Sequence, residues 1–100
     1  MAVHNPTNDE FEEIISTGKT VVDFWAPWCG PCRSQSPIVE ELEDTTDVKL
    51  IKINVDEDEE ITPRFDVSSI PTLLLYDEGE LVNKFIGLTP LDALKKAFGI

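Results

Sequence analysis

Long apolar runs are missing from this 100-residue chain. None approaches the roughly 20 residues a helix needs to cross a bilayer, so no membrane span is expected. The start, MAVHNPTNDEFEE, has neither a basic n-region nor an apolar h-region, so no signal peptide is expected and the cytoplasm is the expected location. Basic residues are scarce as well: 8 Lys and Arg face 20 Asp and Glu, for a formal net charge of -12. Such a surface repels phosphate, so neither nucleic acid nor anionic membrane is expected as a partner. Repeats and linkers are absent, and the one low-complexity tract is the acidic run Asp56-Glu57-Asp58-Glu59-Glu60. With 41% hydrophobic residues, what remains is one compact domain over residues 1–100 with a single modest core.

The elements follow from periodicity. Thr7 and Glu10 have capping-box spacing, and Phe11, Ile14 and Ile15 recur at helical period, so about 7–17 reads as a helix ended by Gly18. Val21 to Trp25 is a β-branched and aromatic run, hence a strand. After the cysteines, Ile38, Val39 and Leu42 mark one face of a helix to about Asp44, kinked at Pro37. Val48 to Val55 reads as a strand, and the acidic run leads into a short helix near 59–65. Thr72 to Tyr76 and Leu81 to Ile86 are strands joined by a hairpin turn over Asp77-Glu78-Gly79-Glu80. Pro90 opens a last helix whose inner face carries Leu91, Leu94, Ala97 and Phe98. A brief edge strand around Ala2–His4 completes the order. Strands joined through a helix run parallel and a hairpin runs antiparallel, so the expectation is an α/β fold: a mixed central sheet covered by helices on both faces.

Both cysteines and both tryptophans lie in Trp25-Ala26-Pro27-Trp28-Cys29-Gly30-Pro31-Cys32. A structural zinc site takes four ligands, commonly two CxxC pairs or CxxC with two histidines. The chain has two Cys and one His, with His4 distant in sequence, so only a site shared across a dimer would serve. Haem attachment calls for histidine after the second cysteine, where Arg33 stands. A purely structural disulfide would close a loop of about four residues and contribute at most ~2 kcal/mol, in a compartment that reduces it. A redox couple is the reading left. Cys29 falls where a strand ends and a helix begins, where free N–H groups and the helix dipole favour thiolate, the nucleophile of disulfide exchange. Cys32, one turn on, sits behind it. Trp28 and Pro31 flank the pair with apolar surface, leaving one sulfur reachable and the other shielded.

Asp23 interrupts an apolar strand. A solvent-facing residue is one reading, but Val21, Val22, Phe24 and Trp25 are apolar on both faces and argue for a buried carboxylate, whose raised pKa makes it a proton acceptor near neutrality. Lys52, between Ile51 and Ile53, either pairs with it across adjacent strands or snorkels from the sheet edge. Ile70-Pro71-Thr72 puts a proline just before a central strand, a special turn for which a cis peptide is one candidate.

From Thr7 to Phe98 the chain resembles the thioredoxin family. The decapeptide Asp23 to Cys32 reproduces that family's active-site motif in full. Pro37 matches its helix-kinking proline, Lys52 to Asp56 the segment bearing its lysine, Ile70 to Leu73 its cis-proline loop, and Gly79 and Gly87 its turn and groove glycines. The resemblance implies a thioredoxin fold and a general dithiol–disulfide reductant. Cys29 would attack a target disulfide and Cys32 would resolve the mixed disulfide, the pair cycling through a Cys29–Cys32 disulfide. Asp23, tuned by Lys52, would take the proton from Cys32. Trp28, Gly30, Pro31, Ile70, Pro71, Thr72 and Gly87 would form the docking surface, with Pro71 cis. It further implies a monomer with no bound cofactor or metal. Its partners would be disulfide-containing proteins and a thioredoxin reductase, NADPH- or ferredoxin-dependent. Gly30-Pro31 lacks the histidine that makes related proteins more oxidising, which favours a reductant. A second reading, from the binding-module class, makes the fold a non-catalytic docking subunit of a larger enzyme. One stretch departs from the family pattern: Arg33-Ser34-Gln35-Ser36 keeps a basic residue after Cys32, while Ser34 and Gln35 are expected to make the surface beside the site more polar.

Overall fold

Helix α1, Asn8–Ile15, starts where the side chains demand it. Thr7 Oγ1 accepts from the Glu10 N–H at 3.2 Å and Glu10 Oε1 accepts from the Thr7 N–H at 2.8 Å, so a capping box closes the first turn. The computed structural model describes residues 1–100, with β1 at Val3–His4, β2 at Lys19–Trp25, α2 at Gly30–Thr45 and β3 at Lys49–Asn54. β4 spans Thr72–Asp77, β5 Glu80–Ile86 and α3 Leu91–Phe98. The sheet order is β1-β3-β2-β4-β5. β1 and β2 run parallel to β3, whereas β2–β4 and β4–β5 are antiparallel, the mixed sheet expected.

Strand alternation divides the core. Val22, Phe24, Ile51, Ile53, Leu74 and Tyr76 point to one face and pack with Phe11 and Ile15 of α1. Val21, Leu50, Leu73 and Leu75 point to the other and pack with Val39 and Leu42 of α2 and Leu94 and Phe98 of α3. Each fully buried Val, Leu, Ile or Phe contributes roughly 1.5–3 kcal/mol, so both layers of helix are needed to take the two apolar faces of the sheet out of water. The consequence for the site lies in parity. Asp23 is two residues from Val21, and Lys52 two from Leu50, so both polar side chains fall on the α2 face.

Two elements differ from expectation. The helix near 59–65 is only a 3₁₀ turn, Thr62–Arg64. Asp58 accepts the Ile61 N–H at 3.0 Å and the Thr62 N–H at 2.5 Å where the turn begins, but Pro63 brings no N–H and Asp66 leaves the helical region at φ 51°. The β4–β5 turn is tighter than expected: Asp77 and Glu80 pair, and only Glu78 and Gly79 turn, at φ 51° and 85°. Two positive φ values in a two-residue loop match the right-handed twist of the flanking strands. At the far end, Gly99 at φ 73° turns its N–H back to α3, ending the helix with a left-handed residue.

Candidate active site

The site is assembled at the carboxyl end of β2. The chain leaves the strand at Trp25, turns through Ala26-Pro27-Trp28, and enters α2 with Cys29 as the N-cap residue. Cys29 has extended backbone, φ -92° and ψ 111°, and its Sγ accepts the Cys32 N–H at 3.2 Å. Gly30 and Pro31 occupy the first turn, where proline's missing N–H leaves no gap. A disulfide joins Cys29 to Cys32, with Cα atoms 5.2 Å apart. Both cysteines are buried, at 5% and 2% exposure, so the contrast between a reachable and a shielded sulfur is slight in the oxidised state. Position distinguishes them instead. Cys29 caps the helix, while Cys32 shares the inward face of α2 with Gln35, Val39 and Leu42.

The rim comes from three other segments. Trp28 is 68% exposed, and its indole N–H donates to Asp56 Oδ2 at 2.8 Å. The Ile70–Pro71 peptide is cis, and the Ile70 carbonyl oxygen lies 3.7 Å from Cys29 Sγ. Gly87 donates its N–H to the Pro71 carbonyl at 2.8 Å, joining its loop to the cis turn. Gly30 and Pro31 are exposed and Ile70 half-buried, but Thr72 is buried, and its hydroxyl donates to the Ser69 carbonyl. Its side chain thus ties β4 to the loop before it. A shallow recess of about 140 Å³ beside the disulfide is lined by Trp28, Val55, Val67, Ser68, Ser69 and Ile70. No three His, Cys, Asp or Glu side chains converge to hold a metal ion.

On the α2 face of β2, Asp23 is fully buried and neither carboxylate oxygen has a hydrogen-bond partner. Burial pushes its pKa up to about 7, against the lowering pull of the Lys52 charge and with a small upward push from Glu40. Asp23 and Lys52 are register partners on adjacent parallel strands. They nevertheless form no ion pair, which corrects the direct pairing that their strand positions suggest. Lys52 Nζ turns to α2, donating to Ser36 Oγ and lying 3.4 Å from Glu40 Oε2, with the Trp25 ring centroid 5.5 Å away. Ser36 in turn donates to Glu40 Oε2 at 2.8 Å. That hydrogen bond, with the Lys52 charge, holds Glu40 below the usual carboxylate range.

The Arg33-Ser34-Gln35-Ser36 stretch divides by helix phase. Ser34 is exposed and adds polar surface, as expected. Gln35 is fully buried, contrary to expectation. Its Nε2 donates to the Thr89 carbonyl at 2.9 Å and its Oε1 accepts the Thr89 N–H at 2.7 Å, tying α2 to the loop after Gly87. A polar residue three after Cys32, on the phase of Val39 and Leu42, was the available signal for this clamp. Asp56 was visible only as one acid in a run of five; its contact with Trp28 depends on tertiary placement.

Known proteins share this arrangement over nearly the whole chain. The thioredoxin family model matches residues 2–99. A thioredoxin of Bacillus subtilis (strain 168) is 42% identical over 98 residues, covering 96% of this chain and 94% of its own. One from Pyropia yezoensis is 43% identical over 98 residues, covering 94% of this chain and 92% of its own. Among solved structures, a point-mutant thioredoxin from Halobacterium salinarum NRC-1 superposes with a TM-score of 0.87 at 36% identity, covering 95% of this chain and 85% of that one.

Proposed function

The chain belongs to the thioredoxin family and is a thiol–disulfide oxidoreductase, and from that premise we propose that it is a general reductant of protein disulfides. The observation that carries this reading is the Cys32 N–H aimed at Cys29 Sγ. Once the disulfide is reduced, that donor and the N-terminal end of α2 favour thiolate at Cys29. The Cys29 thiolate attacks one sulfur of the target disulfide; that S–S bond breaks, a mixed disulfide forms, and the first target sulfur leaves and is protonated. Cys32 gives its proton to Asp23 and attacks Cys29 Sγ, and the second target thiol is released. Two electrons have moved from the dithiol to the target, leaving the Cys29–Cys32 disulfide. With its pKa near 7, Asp23 is partly ionised at neutral pH and suited to accept that proton.

The target strand docks across Trp28, Gly30, Pro31, Ile70, Pro71 and Gly87, with Thr72 bracing the turn beneath. Disulfide exchange needs no resident cofactor or metal. A thioredoxin reductase, NADPH- or ferredoxin-dependent, returns the two electrons, and the protein works as a cytoplasmic monomer. No helix is long and apolar enough to cross a membrane.

Trapping tests the roles. Cys32→Ser, mixed with a disulfide-bridged peptide, should accumulate a mixed disulfide at Cys29 that mass spectrometry locates, while Cys29→Ser should accumulate none. Full cellular activity in the double serine variant would overturn the reductant reading in favour of a docking subunit. Turnover against a panel of NADPH- and ferredoxin-dependent reductases identifies the electron donor.

A further inference from the structure

Parallel pairing puts Asp23 and Lys52 side by side on the α2 face of the sheet. A buried carboxylate with no hydrogen-bond partner beside a nearly buried ammonium would ordinarily close an ion pair. Here the ammonium is engaged elsewhere. Ser36 accepts a hydrogen bond from Lys52 Nζ and donates one to Glu40 Oε2, and the same Oε2 lies 3.4 Å from Nζ, so three side chains close a triangle on α2. Ser36 and Glu40 are four apart on the helix, the spacing that stacks them on one face, over the strand carrying Lys52. The Trp25 ring, 5.5 Å from Nζ, flanks the ammonium.

We propose that Ser36 and Glu40 are positioning residues that tether the Lys52 ammonium on the α2 side, withholding it from Asp23 and leaving that carboxyl free to take a proton behind the Cys29–Cys32 pair. The proposal rests on Asp23 as the proton acceptor for Cys32. Few groups compete at the site. The charges acting on Asp23 are Lys52 from β3 and Glu40 from α2, whose buried Cys32 is held in the disulfide; from β4 the register partner is the apolar Leu73. His4 on β1, the register partner of Lys52 on its other side, acts on Glu40. Ser36 carries no charge, so its replacement alters the tether without altering the charge count.

The test follows the Asp23 carboxyl carbon by NMR titration in the oxidised protein, where neither sulfur titrates. Ser36→Ala frees Lys52 to turn toward Asp23 and should lower the midpoint by about half a pH unit or more, since a closer opposite charge favours the ionised form. Lys52→Met should raise it, and Ser36→Ala added to Lys52→Met should then change nothing, because there is no ammonium left to release. A Ser36→Ala midpoint unchanged from wild type, or a shift that persists in the Lys52→Met background, overturns the tether. The pH–rate profile of mixed-disulfide resolution separates the two ideas. If it moves with the Asp23 midpoint, both stand. If the midpoint moves and the profile does not, the tether stands and Asp23 is not the acceptor.

Discussion

Replacing Gln35 by methionine offers the sharpest check on how α2 is coupled to the groove. The side chain is fully buried and meets both backbone polar groups of Thr89, at 2.9 Å and 2.7 Å. Methionine has a similar length and little change in volume, so no large cavity opens. Two backbone groups would lose their partners in a region closed to water, since Thr89 is only 5% exposed. Leaving a buried donor or acceptor unsatisfied costs about 1–3 kcal/mol, and there is one of each. The thioether, easier to bury than an amide, returns roughly 1 kcal/mol. The balance is a loss of about 3 kcal/mol. For a chain of this size each kcal/mol moves Tm by about 4–8 °C, so melting of the oxidised protein should fall by ~12 °C or more. Ser34→Ala, at the exposed neighbouring position, should stay within about 0.5 kcal/mol of wild type. Thermal unfolding followed by far-UV circular dichroism measures both. A Gln35→Met protein melting within about 3 °C of wild type, less than 1 kcal/mol on the same scale, would show that the Thr89 groups find other partners, and the clamp argument would fall.

Two further outcomes follow from buried charge and backbone geometry. Asp23 has its folded pKa raised from 3.8 to about 7, so between those values the folded state binds more protons than the unfolded one and wild-type stability falls as pH rises. At about 1.36 kcal/mol per pH unit, the stability of Asp23→Asn relative to wild type should grow by about 4 kcal/mol from about pH 4 to about pH 8, read from urea midpoints; a constant difference would refute the buried carboxylate. Gly79→Ala tests the hairpin. A Cβ there would meet only ordinary contacts, the nearest being the Ser16 carbonyl oxygen at 3.7 Å, so the penalty is that of φ 85° alone, about 1–2 kcal/mol, and an unchanged urea midpoint would contradict it.

Much of this molecule is decided locally. The capping box at Thr7 and Glu10, the strand-to-helix switch at Cys29, and the glycine in the β4–β5 turn each depend on residues a few positions apart, and each appears where spacing puts it. The motif around Cys29 and Cys32 and the apolar setting of Asp23 are legible for the same reason: strand alternation and helix period are short-range rules. The helix expected near 59–65 shrinks to a 3₁₀ turn because Pro63 brings no N–H and Asp66 is left-handed, costs that outweigh the favourable charge at its start.

Direction of side chains across the molecule was decided only by tertiary packing. Parity places Lys52 beside Asp23, but which partner its ammonium takes depends on where α2 lies over the sheet, and α2 presents Ser36 and Glu40 there. Gln35 reads as a surface residue until the Gly87–Thr89 loop, more than 50 residues later, closes over it. By itself, then, the sequence determined the fold, the redox pair and the candidate proton acceptor, because those follow from local pattern. What tunes the acceptor and what anchors the groove came from contacts between elements far apart in the chain, which no local period encodes.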